Sequence, residues 1–183
     1  MEEIVKRINK CRRCPLHKWR TNIVIGEGGK RTEIIFIGEA PGLHEDKMGR
    51  PFVGRAGKIL DELIESIELK REDVYITNVV KCRPPNNRDP SEDEINSCIG
   101  YLFEQIRMIK PKIIVALGRI ASSALLGKPV SLWKEHGSLV DYPRAKCKLF
   151  ITYHPAAAIY SGEVRSKLQD DFKKLKNIRE SMG

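Results

Sequence analysis

The chain has 183 residues, of which 41% are hydrophobic and 31% are charged, so it is long enough to bury one core. No apolar run approaches the roughly 18 residues of a membrane span, and the N-terminus lacks the apolar segment of a secretion signal. We therefore expect a cytoplasmic protein without a membrane partner. The net charge of +9 favours a nucleic-acid-binding surface, although solvated helix faces would explain it equally well.

The first predicted element is a charged amphipathic helix over residues 1–10. Beyond it, short apolar or β-branched runs are typical of buried strands. Four such runs predict strands at 33–38, 74–80, 112–118 and 148–155.

Helical periodicity separates these strands. The stretch "AGKILDELIESIEL" repeats its apolar residues at helical spacing, and a second helix starts with a capping box from Ser91 to Glu94. A short helix over 119–127 follows the third strand, and the tail offers a last amphipathic helix that includes Leu168 and Phe172. Two polar stretches, 44–58 and 83–93, show no periodicity and predict long functional loops.

The alternation of strands and helices predicts right-handed βαβ units. We expect an α/β fold: a three-layer α/β/α sandwich around a central four-stranded parallel sheet. No repeat or linker interrupts the chain, so residues 1–183 are predicted to form a single domain.

Polar or glycine residues follow each predicted strand. Glu39 lies in "GEAPG", Asn78 ends the second strand, Gly118 follows the third and His154 follows the fourth. Each alone is an ordinary turn residue, but ligands of open α/β sheets bind at the carboxyl ends of the strands. Together these side chains indicate a binding site at that edge, with Phe52 of the first loop as a stacking platform or a cap of the core.

The five cysteines are an odd number, which argues against a framework made only of disulfides. Cys11 and Cys14 are separated by two residues, whereas Cys82 and Cys98 lie far along the chain, a spacing that fits structural zinc poorly. Two interpretations remain open: one [4Fe–4S] cluster held by all four, or two buried cysteines and a separate zinc or redox pair. Cys147 has no close partner and is interpreted as structural.

Four segments resemble the family-four uracil-DNA glycosylases, an iron–sulfur group of the uracil-DNA glycosylase superfamily. In chain order they are "CRRCPLHKWR", "GEAPGLHEDKMGRPFVGRAGKILDELI", "VYITNVVKCRPPNNRDPSEDEINSC" and "TYHPAAAIY", and they span essentially the whole sequence. The resemblance implies that family's fold. It also implies a [4Fe–4S] cluster that pins the N-terminal segment through Cys11, Cys14, Cys82 and Cys98.

The resemblance implies roles for the residues at the carboxyl edge of the sheet as well. Catalytic roles fall on Glu39, which would orient the attacking water, and on His154, which would lie beside uracil O2. Phe52 would stack on the base, Asn78 would read it, and Glu45 would crowd its C5 position. Gly38 and Ala40, which flank Glu39, would also contact the substrate. The run "HPAAAIY" departs from the bulky residues and arginine that bacterial members carry there, so the residue that would wedge into the DNA is not identified.

The implied function is a DNA-repair hydrolase that flips uracil out of DNA and cleaves its N-glycosidic bond. None of the site residues that the resemblance implies is a lysine, so we expect the abasic site to be left uncut. The expected partner is uracil-containing DNA, single- or double-stranded, bound by a monomer; a sliding-clamp contact is possible but is not readable from the sequence. The alternatives are a uracil-DNA binding protein that does not hydrolyse or that traps the sugar covalently, and an electron-transfer protein that uses the cluster.

Overall fold

The computed structural model describes residues 1–183, which build one mixed sheet of six strands. The strands are β1 (Glu27–Gly28), β2 (Ile34–Gly38), β3 (Tyr75–Asn78), β4 (Ile113–Leu117), β5 (Leu139–Tyr142) and β6 (Cys147–Thr152). Their order across the sheet is β1-β3-β2-β4-β6-β5.

The four central strands, β3, β2, β4 and β6, are mutually parallel, as the sequence predicts. Every residue of β2, β3 and β4 is buried, because helices cover both faces of a parallel sheet. The expectation of only four strands is incomplete. Two antiparallel edge strands were missed: β1 has just two residues, and β5 alternates weakly because most of it is only half-buried.

Seven helices complete the fold. They are α1 (Glu2–Asn9), α2 (Leu43–Met48), α3 (Arg55–Ser66), α4 (Glu92–Ile109), α5 (Arg119–Leu126), α6 (Leu132–Glu135) and α7 (Gly162–Ser181). One apolar cluster packs α1, α4 and α5 against one face of the sheet, and a second packs α3 and α7 against the other. Phe36 of β2 stacks on Phe172 of α7 at 5.8 Å between ring centroids. None of these helices has both the length and the apolar composition that crossing a membrane would require.

The capping box predicted for α4 is present. The Ser91 hydroxyl accepts from the Glu94 main-chain N–H at 3.2 Å, and the Glu94 carboxylate accepts from the Ser91 N–H at 2.8 Å. Arg88 forms two further hydrogen bonds with that carboxylate, at 2.7 and 2.9 Å. These contacts fasten the loop after β3 to the start of α4, and so set where this loop meets the carboxyl edge of the sheet.

The stretch 44–58 is less irregular than its composition suggests. It contains nearly all of α2 and the first turn of α3. The helix α2 is short, is preceded by Gly42 and ends at Gly49, whose φ of 68° is a left-handed conformation that favours glycine. A helix of six residues carries too little apolar periodicity to be recognised in the sequence.

Candidate active site and cysteine cavity

A cavity of about 390 Å³ opens at the carboxyl ends of the parallel strands. Most of the predicted site residues line it together: Glu39, Ala40, Glu45, Phe52, Asn78 and His154. Gly38 does not line the cavity but lies directly behind it. The topology therefore gathers residues from the ends of three strands, β2, β3 and β6, as the rule for open α/β sheets anticipates. Gly118, after β4, does not line the cavity.

Gly38 allows Asn78 and Phe52 to approach each other. A Cβ atom at position 38 would lie 2.5 Å from the Asn78 Oδ1 and 2.6 Å from the Phe52 Cζ. Both distances are too short for any side chain, so the close approach of the amide and the ring requires glycine here.

Asn78 ends β3 with a side chain that is almost fully enclosed, 2% exposed. Its Oδ1 atom is buried and has no hydrogen-bond partner in the protein. Buried acceptors are nearly always paired, because an unpaired one costs about 1–3 kcal/mol. An unpaired Oδ1 in the wall of a cavity indicates that a ligand donates the missing hydrogen bond.

Glu39 is a carboxylate of the cavity whose pKa lies well above its usual value. Its burial, reinforced by the neighbouring carboxylate of Asp89, raises the pKa of Glu39 to about 7. The positive charge of Arg119 acts in the opposite direction but is outweighed. A carboxyl group that titrates near neutral pH can align a water molecule and accept its proton.

His154 is neutral at physiological pH, because its burial lowers the pKa of the imidazole to about 4. Its Nδ1 lies 3.0 Å from the main-chain nitrogen of Ala156. Since that N–H can only donate, Nδ1 is the acceptor and the ring proton resides on Nε2. The ring packs on Phe52 at 5.4 Å between centroids. His154 therefore presents a fixed neutral N–H donor.

Phe52 is held in an uncommon backbone conformation, with φ of 50°. Arg71 secures it by donating to the Phe52 carbonyl at 3.0 Å and to the Pro51 carbonyl, while its guanidinium also pairs with Glu27. Sequence reasoning missed Arg71, which lies 19 residues from Phe52 and carries no local motif. Its function in the site is to position the aromatic ring.

Glu45 holds the same loop in place through main-chain hydrogen bonds. One oxygen of its carboxylate accepts from the main-chain N–H groups of Val53 and Gly54, both at 3.0 Å, and the other accepts from that of Gly42 at 3.2 Å. These bonds fix the loop that carries Phe52, one wall of the cavity. Contact of Glu45 with the C5 position of a base remains a prediction.

Lys81 is the second residue that sequence reasoning missed. Its side chain is buried, 1% exposed, and its Nζ donates to the Asn78 carbonyl and to the Thr77 hydroxyl, both at 2.7 Å. Burial lowers the pKa of Lys81 to about 7. The side chain therefore anchors the end of β3, where Asn78 lies.

A smaller cavity lies beside Lys81, and four of the five cysteines line it: Cys11, Cys14, Cys82 and Cys98. Cys147 lies elsewhere, at the start of β6. No three His, Cys, Asp or Glu side chains lie close enough together to hold a single metal ion. A [4Fe–4S] cluster, by contrast, binds each cysteine sulfur to a different iron, so the four sulfurs lie farther apart than around a single ion. Four cysteines around one cavity match that arrangement.

The chemistry of this cavity also fits a cluster. Burial raises the pKa of the Cys82 thiol to about 11 and also raises the pKa values of Cys14 and Cys98, so a bound metal would stabilise the thiolates here. Arg20 donates from Nη1 to the Cys82 Sγ at 3.3 Å, the kind of hydrogen bond that supports a metal-bound sulfur. The four residues are therefore suited to a [4Fe–4S] cluster.

Comparison with known proteins shows which family the chain resembles. The family model described as the uracil DNA glycosylase superfamily matches residues 25–177. A type-4 uracil-DNA glycosylase of Archaeoglobus fulgidus is 46% identical over 96% of this chain and 91% of its own length. The type-4 enzymes of Saccharolobus solfataricus and Thermotoga maritima are 50% and 48% identical, covering 99% and 100% of this chain and 87% and 96% of their own.

Proposed function

Because the chain belongs to the uracil-DNA glycosylase superfamily, among its type-4 members, we propose that it excises uracil from DNA by hydrolysing the N-glycosidic bond. The products are free uracil and an abasic site. The single observation that carries the proposal is the unpaired, buried Oδ1 of Asn78 in the wall of the cavity. Uracil offers a ring N3–H donor that matches this acceptor.

Base selection follows from the amide of Asn78. Its oxygen accepts from uracil N3–H and its NH₂ group donates to uracil O4. Cytosine presents the opposite pattern, an acceptor at N3 and a donor at C4, and would leave both pairs of groups unsatisfied. Each mismatch costs about 1–3 kcal/mol in a buried site. The base must first leave the helical stack, and Phe52 provides an apolar ring against which it can lie.

Bond cleavage draws on two residues on opposite sides of the glycosidic bond. The departing uracil gathers negative charge, and the Nε2–H of the neutral His154 ring can donate a hydrogen bond to its O2. The sugar develops oxocarbenium character. Glu39, when ionised, aligns a water molecule for attack at C1′ and stabilises the positive charge.

Strand cleavage is not part of the proposed reaction. Two arginines, Arg55 and Arg88, line the cavity but no lysine does. The nearby amine of Lys81 is engaged by Asn78 and Thr77. A Schiff base with the sugar, the step that a lyase requires, therefore has no available nucleophile. We propose a monofunctional glycosylase.

The cluster that the cysteine cavity suits would be held by Cys11, Cys14, Cys82 and Cys98. When bound, it would cross-link the segment before β1, the loop after β3 and helix α4. Its proposed role is therefore structural. The proposed unit is residues 1–183 as one domain that acts as a monomer on uracil-containing DNA in the cytoplasm, at the nucleoid.

The test is release of free uracil from oligonucleotides that carry one uracil, measured by chromatography with substrate in excess. Several molecules of uracil per protein are expected, and matched thymine and cytosine oligonucleotides should release no base. Retention of uracil with tight binding would favour a non-hydrolytic binding protein. A covalent protein–DNA adduct in place of turnover would identify a trapping protein.

A further inference from the structure

A third cavity, of about 540 Å³, lies between the end of α4 and the turn that joins β5 to β6. Four cations line it, Arg107, Lys110, Arg144 and Lys146, and together they define what we call the basic cleft. Two of them immediately precede the segments that enter β4 and β6, so the cleft lies at the amino ends of the parallel strands. The candidate active site lies at the carboxyl ends. The five residues of β4 alone separate the two edges by about 16 Å.

The four cations of the basic cleft have no acidic partner. All four are exposed, the cavity lining contains no carboxylate, and none of them forms an ion pair. The acidic residues nearby are already paired with other cations: Glu104 with Arg7, Asp141 with Lys148, and Glu33 with Lys112. Four like charges around one concave surface concentrate the positive potential there.

The backbone adds an independent observation. Lys110, at the end of α4, and Lys146, in the β5–β6 turn, have φ values of 54° and 52°, in the left-handed region. Glycine or asparagine is strongly preferred there, because a Cβ atom makes this conformation costly. Lysine at both positions is therefore not explained by the backbone conformation, which indicates that the two charged side chains have a role of their own.

Arg144 is held in a fixed place within the basic cleft. Its guanidinium carbon lies 4.0 Å from the centroid of the Phe103 ring, a cation–π contact. A stacked guanidinium keeps its planar fork of N–H donors free for a phosphate, and less side-chain freedom is lost when the phosphate binds.

We propose that the basic cleft binds the phosphate backbone of a second segment of DNA while the first segment occupies the active site. This inference rests on the proposed function in one respect: it assumes that the polyanion bound by the cleft is DNA. The two sites lie at opposite edges of the sheet, so we assign the cleft to a separate segment rather than to the duplex at the active site. The protein would therefore bridge two DNA segments, which allows transfer between them without full release into solution.

A variant that removes the charges with little risk to folding tests this proposal. Lys110→Gly and Lys146→Gly place glycine where the backbone favours it, and Arg107→Gln and Arg144→Gln complete the cleft variant. The matched control replaces four exposed lysines outside the cleft by glutamine: Lys30, Lys128, Lys134 and Lys173. Both variants lose the same formal charge.

The measurement uses two uracil-free duplexes that carry different fluorophores, mixed with protein at low salt, with dual-colour cross-correlation as the signal. We expect co-diffusion of the two colours with the wild type and the control variant, and its loss with the cleft variant. The slope of log affinity against log salt should fall by about 3 to 4 in the cleft variant, since each phosphate contact contributes about 0.9.

Bridging that persists in the cleft variant would overturn the proposal, as would an equal loss in the control variant. Cleft-dependent binding of a polyglutamate peptide that is tighter than binding of DNA would reassign the site to an acidic protein. Because the duplexes contain no uracil, these outcomes are independent of excision. A failure of the proposed glycosylase activity would show instead as absent uracil release from all three proteins.

Discussion

The side-chain nitrogen of Lys81 donates to the main-chain carbonyl of Asn78 at 2.7 Å, and so ties the end of β3 to the cysteine cavity. The next residue along the chain, Cys82, lines that cavity. Asn78, Lys81 and Cys82 lie within five residues of sequence. A buried lysine without a carboxylate partner is costly, which indicates that this anchoring contributes to the proposed function.

Lys81→Met should slow uracil excision about tenfold while the protein keeps its iron. Methionine fills much of the same volume but leaves the Asn78 carbonyl without its donor, a loss of about 1–2 kcal/mol in the placement of the amide. The measurement is single-turnover excision together with iron content. Gln105→Met is the matched control, since Gln105 is buried and hydrogen-bonded nearby but does not contact Asn78. Wild-type excision by Lys81→Met would show that the anchor is not needed.

Glu39→Gln should slow excision about 10²-fold and remove its dependence on pH near neutrality. In the wild type the ionised carboxylate is the active form, so the rate should rise with pH and level off above about 7, the pKa of Glu39. A pH profile of single-turnover excision measures both effects. If Glu39→Gln kept the wild-type profile, another group would be responsible for it.

The same substitution should change stability in a defined pH window. The pKa of Glu39 is raised from 4.5 in the unfolded chain to about 7 in the fold, so the folded protein binds more protons within that window. Ionised Glu39 therefore destabilises the fold at high pH. Glu39→Gln should be more stable by about 1–3 kcal/mol above pH 7, and the gain should fade as pH falls towards 4.5. Denaturant unfolding at pH 8 and pH 5 measures this difference, and an equal gain at both would contradict it.

Serine in place of Cys11, Cys14, Cys82 or Cys98 should abolish iron binding and its visible absorbance, because a [4Fe–4S] cluster needs all four thiolates. Cys147→Ser is the control, since Cys147 does not line the cysteine cavity, and it should keep both signals. Iron and sulfide analysis after anaerobic purification is the measurement. Stoichiometric zinc in the wild type would rule out the cluster.

Gly38→Ala should abolish excision while the fold survives. The new Cβ would lie 2.5 Å from the Asn78 Oδ1 and 2.6 Å from the Phe52 ring, so the amide and the ring must separate. Gly100→Ala is a suitable control, since a Cβ atom at that helical position meets nothing within 4 Å. Circular dichroism and single-turnover excision distinguish a damaged site from a damaged fold. Normal excision by Gly38→Ala would mean that Asn78 and Phe52 do not act together on the base.

Much of the fold was predictable because the central strands and long helices have strong periodicity. The buried runs that became β2 and β4 lie within one residue of their predicted limits. The edge strands were not predictable from local pattern. Two-residue β1 is formed only because β3 offers an unpaired edge, and β5 depends on pairing with β6.

The residues of the candidate site also fall into a predictable group and an unpredictable one. Glu39, Asn78 and His154 could be placed together from sequence, because topology brings the carboxyl ends of parallel strands to one edge. Their individual roles came from the family resemblance. Arg71 and Lys81 could not be found, since an arginine that supports Phe52 and a lysine buried beneath Asn78 look like ordinary surface cations until the chain has folded.

The most direct test of the account compares excision of uracil and of cytosine by the wild type and by Asn78→Asp, under single turnover on one duplex. The carboxylate loses the donor to uracil O4 and gains an acceptor for the cytosine amino group. We predict that uracil release falls about 10²-fold or more, in the chemical step rather than in DNA binding, and that weak cytosine release appears. Uracil excision by Asn78→Asp near the wild-type rate would contradict the assignment of Asn78 as the base reader.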